Sequence, residues 1–542
     1  MKKQFTTRSH NSSRTAHRAK EKEPQNQLLA LFVKDDTRKR TLIMLSIVLV
    51  WALMYAAVGE TIAVNKGFGW DGYAYGALTQ RWSFYVEHGA LDSYRVVRIF
   101  PSVLFYYILT PLLHDSSGML SAATIVNIYK VYTVLLLCSV VMAWDGISRH
   151  LRFNAQAHWI GFIALVGNYA IAKYAFYYST LIDVTAFTLG IWAVYCYLKQ
   201  HSILLLVLAS VGYFSFPTVF LECALLFCFP YNSAASTQSS IRAFPDKAVQ
   251  ENSLWVTLVC VVAILSLAAI GIVYFVILYP TTFPLTEPIH EPTKYLNIAL
   301  VLAYTGVITL YAARVFPFVT IGRMLLSWQF WLRVLIVVAL NALLWFAIAR
   351  PLHNPSLPAA LKLNVFVGGS FSLAVGKPLV APIAFAVYFG PAIMLILMCL
   401  RQYTQRSAAL GAGYCLVTFG TLLLSGIMSE TRQLMSLFPV IIVALSFVFA
   451  TTNTVFSWLR AAIYLSLVII STKIWLPINF SQMNDDVYVN LTRGYDTFPM
   501  QKYFMNHGPW MSMESYIYQA VGCAIIGGIL FVLLRKSLFA RS

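Results

Sequence analysis

The chain has 542 residues, of which 59% are hydrophobic and only 11% charged, and its net charge is +18. Soluble domains carry roughly 25% charged residues, so a soluble globular enzyme is excluded. Long unbroken apolar runs exclude a β-barrel as well, which would show short alternating segments. The positive charge does not mark a nucleic-acid-binding domain, because eleven Lys and Arg fall in the first forty residues, most of them in a Ser/Thr/Asn/Gln-rich tail.

In chain order, residues 1–40 read as a disordered basic cytoplasmic tail that orients the first helix. Residues 41–542 read as one all-α, polytopic transmembrane bundle. Its apolar runs are mostly about 17–25 residues long, enough to cross ~30 Å of hydrocarbon. The run at 41–59 is expected to be a retained first helix rather than a cleaved leader. A first outer loop follows at 60–120. Its apolar run 99–113 is expected to lie along the membrane surface: if it spanned, SRHLRF at 148–153 would fall outside, against the positive-inside rule. With that run demoted, the later helices alternate regularly. Residues 158–177 go out and 185–198 return. Residues 203–230, broken by SFP, enter and return as two short helices. Further crossings follow at 253–278, 296–312, 327–349, 379–400, 410–428, 434–450 and 461–476. A long last outer loop at 477–515 precedes the final helix. About twelve to fourteen helices and two cytoplasmic termini are expected, in a cell's inner (cytoplasmic) membrane. The eight cysteines lie in or beside apolar segments without a C-x-x-C pair. Buried thiols therefore fit better than a disulfide framework or a zinc site.

The inner loops are short and basic, and the outer loops hold most of the carboxylates. They also hold basic residues that orientation does not require, and ionisable groups at membrane depth are functional candidates. Asp71, flanked by Trp70, Gly72, Tyr73 and Tyr75, is either a proton acceptor beside stacking aromatics or an Asp-Gly turn in an interfacial belt. Arg95 and Arg98, three apart, would share one helix face. They suit a phosphate or snorkel to headgroups. Glu430 and Arg432 sit in SETRQLMSLFP, as site residues or as a solvated hairpin. Lys377, before Pro378, is a phosphate ligand or an interfacial lysine. Asp183 caps the returning helix or joins a site. The Asp485–Asp486 pair of the long last loop is a candidate for holding a divalent cation. The scattered outer histidines show no metal spacing.

The stretch WDGYAYGALTQ…YRVVRIFPSVLFYYILTPLL resembles, though not at every position, the DGxxYxxLA…YRxxRIxxP pattern of bacterial members of the GT-C superfamily of integral membrane glycosyltransferases. SETRQLMSLFPVII loosely resembles the Glu/Arg/Pro helix starts common there. The resemblance covers residues 41–230 best. It implies a GT-C-like bundle with juxtamembrane helices in the first outer loop. It also implies a transferase that moves a sugar from a polyprenyl-phosphate-linked donor to a lipid or glycan acceptor on the periplasmic side. Asp71 matches the first-loop catalytic acid and would be the general base, with Arg95 and Arg98 near the donor phosphate. Glu430 and Arg432 match only the loose turn motif. Many members carry paired acids in this loop. Here Gly72 follows Asp71 and the next acid is Glu87, which argues against a metal. Competing readings are a transporter or flippase of a lipid-linked or anionic substrate, an O-antigen ligase or polymerase, and a structural or assembly membrane protein without catalysis. The first would want mid-helix charges and an internal repeat. The second would place its chemistry in the long last loop.

The topology is open to a direct check. A Ser116→Cys variant is expected to react with an impermeant thiol reagent from outside, and labelling only after permeabilisation would move 148–153 to the exterior.

Overall fold

The computed structural model describes residues 37–69, 71–113, 120–231, 251–278, 293–357, 363–428, 430–451, 458–479 and 513–538. The tail 1–36, Trp70, Ser116 and the Asp485–Asp486 pair lie outside the described residues. Among those described, every regular element is helical, and the one β-type pairing is an isolated bridge between Leu91 and His353.

Six of these helices are long and apolar enough to cross a membrane, and the protein is a multi-pass membrane protein. The first part of the chain comprises α1 (Thr37–Val58), α2 (Asp71–Glu87), α3 (Ser102–Leu113), α4 (Ala122–His150), α5 (Ala155–Val166), α6 (Asp183–Leu198), α7 (Ser202–Tyr213) and α8 (Pro217–Cys228). The middle adds α9 (Leu254–Ile272), α10 (Lys294–Val315), α11 (Phe318–Leu325), α12 (Trp328–Leu344), α13 (Leu363–Ala374), α14 (Val380–Phe389), α15 (Pro391–Met398) and α16 (Leu400–Ala409). The last part holds α17 (Ala412–Leu424), α18 (Phe438–Thr451), α19 (Trp458–Thr472) and α20 (Met513–Leu538).

Two runs that read as continuous are broken. The run at 158–177 becomes α5 and a second piece, Ala170–Tyr177, bent by 52°. Asn168 makes the break. Its Nδ2 donates to the carbonyls of Ala164 (3.0 Å) and Leu165 (2.8 Å), and its Oδ1 accepts the Ile171 amide at 3.1 Å. The side chain thus ends one helix and restarts the next. The run at 379–400 divides at Gly390, whose φ of +79° is open to glycine at no steric cost, and Pro391 then starts α15. The run at 203–230 does form two short helices, α7 and α8, which pack closely on each other. Helix α3 has 12 residues, about 18 Å of helix and too short to span. It packs on α2.

The core is built round α18, whose residues from Phe438 to Phe449 are all buried. It packs against α5 and α6, and small residues set the spacing. A Cβ on Gly161 would fall 2.3 Å from Ser446 Oγ, and one on Gly190 would fall 2.0 Å from the Ser436 carbonyl oxygen. Helices α9, α12 and α20 are apolar yet have only 11% of their best spanning window buried. In water such helices would collapse together, so their free faces are those that meet lipid.

Contacts sort the connections onto two faces. Residues 59–101 touch Tyr178 and Thr180, Phe214, Asn354, Arg432 and the 478–479 turn. At the other face, Asn252 bonds the end of α10, Arg401 pairs with Glu251 at 3.7 Å, and Gln200 donates to the Tyr231 carbonyl. The two groups coincide with the two sets of loops that the sequence reading separates by charge.

Gly190→Ala is expected to destabilise the protein by about 1–3 kcal/mol, because the methyl group meets backbone that cannot rotate away. Thermal unfolding in detergent would show the loss as a lowered midpoint.

Candidate functional site

The stretch GWDG is shaped by what it must approach. Gly69 adopts φ +69°, with the Tyr178 ring where a Cβ would lie, 2.4 Å away. A Cβ on Gly72 would fall 2.1 Å from Thr180 Oγ1. With both side chains absent, the Gly72 amide donates to Tyr178 Oη at 3.0 Å, and Thr180 Oγ1 donates to the Phe68 carbonyl at 2.9 Å. This seam fixes the start of α2 against the turn before α6. Asp71 is the first residue of α2, where the helix's positive end favours a carboxylate. Tyr129 of α4 holds the rest of the loop, with its hydroxyl 3.2 Å from Thr79 Oγ1 of α2 and 2.9 Å from Ser102 Oγ of α3.

Asp71 meets Arg432, 361 residues later, through a direct ion pair and hydrogen bond from Nη2 to Oδ2. The side chain of Arg432 is 9% exposed and that of Asp71 is 50% exposed. The pair therefore has a buried cation and a carboxylate open on one side. Glu430 Oε2 lies 3.6 Å from Arg432 Nε and accepts a hydrogen bond from Gln433 Nε2 at 2.5 Å. Burial alone would disfavour the Arg432 charge, but Glu430, then Asp71 and Asp183, more than offset it and hold the guanidinium charged. Arg432 Nε is buried with no hydrogen-bond partner among the described residues. Its contact among the described residues is the longer ion pair with Glu430.

The other candidates separate. Arg98 is buried, donates to the Tyr94 carbonyl at 3.2 Å and stacks 3.8 Å over the Tyr94 ring. The hydroxyls of Tyr75 and Tyr94 are both raised above the usual range, first by burial, and both feel Arg98, Asp71 and Arg432. Arg98 and Tyr75 thus belong with the Asp71–Arg432 pair. Arg95 does not stay with Arg98, as the expected shared helix face required. Residues 96–98 form a 3₁₀ turn, and Asp92 accepts the amides of Tyr94 and Arg95 at 2.8 Å each. Arg95 is drawn to the same Asp92 at 3.8 Å, with its side chain 46% exposed. Tyr73 is exposed while Tyr75 is buried, because residues two apart point to different sides of a helix.

Asp183 is not the expected N-cap. Ile182 holds that position without a side-chain bond, and Asp183 is buried in the first turn of α6, where it acts on Arg432 and Tyr388. Lys377 is buried just before α14, the helix that carries Tyr388 eight residues in. The neighbouring Pro378 carbonyl accepts from Tyr516 Oη. The tyrosines at 174, 178 and 388 that line Arg432 and its carboxylates were not singled out from the sequence. They occupy apolar runs, and their aromatic character gave no signal apart from the core. Among the described residues no group of three or more His, Cys, Asp and Glu side chains could hold a metal ion. Comparison with protein-family models, with curated proteins and with solved structures gave no match.

Removing one partner of a buried charge leaves the rest uncompensated. Arg432→Gln is expected to cost about 3–5 kcal/mol, and Asp71→Asn clearly less, because Asp71 is half open to water. Unfolding midpoints of the two single variants and the double variant would give the coupling. Equal losses for the two single changes would contradict the asymmetry.

Proposed function

We propose that this chain is a membrane glycosyltransferase that moves a sugar from a polyprenyl-phosphate-linked donor to an acceptor hydroxyl at the outer face of an inner membrane, both termini being cytoplasmic. The observation that carries the reading is the convergence of Asp71, Arg98, Glu430 and Arg432 on one face of the bundle, from loops far apart in the chain. It agrees with the GT-C resemblance of the first outer loop.

In this reading the acceptor oxygen attacks the anomeric carbon as the bond to the phosphate oxygen breaks. The acceptor proton passes to Asp71, and the electron pair leaves with the prenyl phosphate. That phosphate departs as a stabilised anion and needs no acid, so one carboxylate suffices. Arg98 and Arg432, whose Nε makes no hydrogen bond among the described residues, are the donors for the phosphate. In the resting protein Arg432 occupies Asp71. Turning part of the guanidinium to the donor phosphate would leave Asp71 free to accept a proton only when donor is bound. No divalent cation is needed, since the charge is met by arginine.

A second reading, a transporter or flippase for a lipid-linked or anionic substrate, is favoured by Glu222. This carboxyl is 1% exposed in the middle of α8, close enough to Tyr414 and Cys223 to act on both. Mid-helix acids of this kind mark many transport pathways. Movement of labelled lipid across proteoliposomes without glycosyl transfer would favour that reading. The ligase or polymerase reading rests on residues 480–512, outside those described.

Asp71→Asn is expected to lower transfer about 10²–10⁴-fold with donor binding nearly unchanged. Near-normal turnover would leave GWDG as a membrane-surface anchor. Arg98→Ala is expected to weaken donor binding more than Arg98→Lys, and Arg95→Ala to weaken it least. A donor-binding titration would rank the three.

A further inference from the structure

The face opposite the Asp71–Arg432 cluster holds a cavity of about 270 Å³ between α6, α7, α8 and α12. Helix α6 measures the separation. Asp183 at its start acts on Arg432, and Tyr197 near its end lines the cavity. Fourteen residues at 1.5 Å each put the two sites about 21 Å apart.

Arg333, in the second turn of α12, is the cation of this cavity. Its Nη1 donates to the Phe227 carbonyl at 2.8 Å, and its guanidinium carbon lies 5.5 Å over the Phe227 ring. These contacts anchor the planar fork and use one of its five N–H donors. No carboxylate lines the cavity among the described residues. Ser202, the first residue of α7, lines it too, so the positive end of that helix lies beside Arg333. Lys199 stands one residue before Gln200 of the lining, and the His150 ring lies 6.1 Å from that of Tyr231, also of the lining. The inner walls are apolar, from Leu205, Leu226 and Phe227. At the same level Trp328 and Trp331 are exposed on α12, as tryptophans are at a membrane–water interface.

We propose that this cavity binds the phosphate headgroup of an anionic lipid, with Arg333 as the phosphate ligand. The volume falls below that of pockets for larger ligands and suits a phosphate with its glycerol, the acyl chains remaining in the bilayer. Basic pockets between membrane helices recognise headgroups by the same charge logic. The apolar walls and the tryptophan level favour a lipid over free phosphate, which would use neither.

The test is made on the full chain in an uncharged detergent. Dihexanoyl phosphatidic acid, dihexanoyl phosphatidylcholine and inorganic phosphate are titrated separately, with binding read by native mass spectrometry and by thermal shift. Phosphatidic acid is expected to bind and stabilise, phosphatidylcholine to bind more weakly, and inorganic phosphate at the same concentration to do neither. Arg333→Gln should weaken phosphatidic acid binding about tenfold or more, the loss of charge-assisted hydrogen bonds, and Arg333→Lys by less. Ser202→Phe fills the cavity while leaving Arg333 in place and should also remove binding. It carries the test if Arg333→Gln fails to fold. Undiminished binding in Arg333→Gln overturns the proposal. Undiminished binding in Ser202→Phe does the same by placing the lipid outside the cavity. Equal stabilisation by inorganic phosphate overturns the lipid assignment in favour of a free anion.

Discussion

A guanidinium buried at the end of a helical bundle must be met by carboxylates, and Arg432 is such a group. Glu430, Asp71 and Asp183 favour its charge against the cost of burial. Each comes from a different place: the same turn, the start of α2 and the start of α6. The constraint therefore ties the 59–101 segment to the core helices. It also places Asp71 with one side paired and the other open. The position of α2, the depth of Arg98 and the ring of tyrosines about Arg432 are consistent with this one requirement.

Glycine makes the approach possible. Gly69 and Gly72 let α2 close on Tyr178 and Thr180, and Gly190 lets α6 close on the backbone at Ser436, four residues beyond Arg432. Core packing and site geometry are thus continuous. A change that spreads α6 from the 431–436 segment would be felt at Asp71, because both ends of that contact bear on the same arginine.

A second polar tie joins the same face. Glu60 accepts the amides of Ile478 at 2.7 Å and Asn479 at 3.0 Å, and Lys173 stands 3.7 Å from it. Asn479 in turn accepts from Tyr177 Oη and donates to the Thr61 carbonyl, both at 2.9 Å. The chain leaving α19 is therefore held against the segment that follows α1. Buried polar groups that satisfy one another in this way specify one arrangement of the loops, whereas apolar helix faces alone tolerate sliding.

The sequence by itself determined the class of molecule. Apolar run length and the scarcity of charge require a membrane-embedded helical bundle, and charge asymmetry sorted the loops into the same two groups that the contacts later showed. It also picked out Asp71, Arg98, Glu430 and Arg432, because charged residues at helix ends are visible without coordinates. Tertiary structure decided the rest. Helix breaks at Asn168 and Gly390 depend on side-chain bonds and backbone angles that hydropathy averages away. Arg95 and Arg98 part company because Asp92 holds the first, Tyr94 holds the second, and the backbone at Val97 between them departs from helical angles. Asp183 read more naturally as a cap, since nothing local to it announces an arginine some 250 residues ahead. The tyrosines around Arg432 look like core in any window of sequence. Only the packing of the 170–178 segment and α14 about the 430–434 turn brings their hydroxyls to the charges, because a pairing between distant segments is a property of the fold and not of either segment.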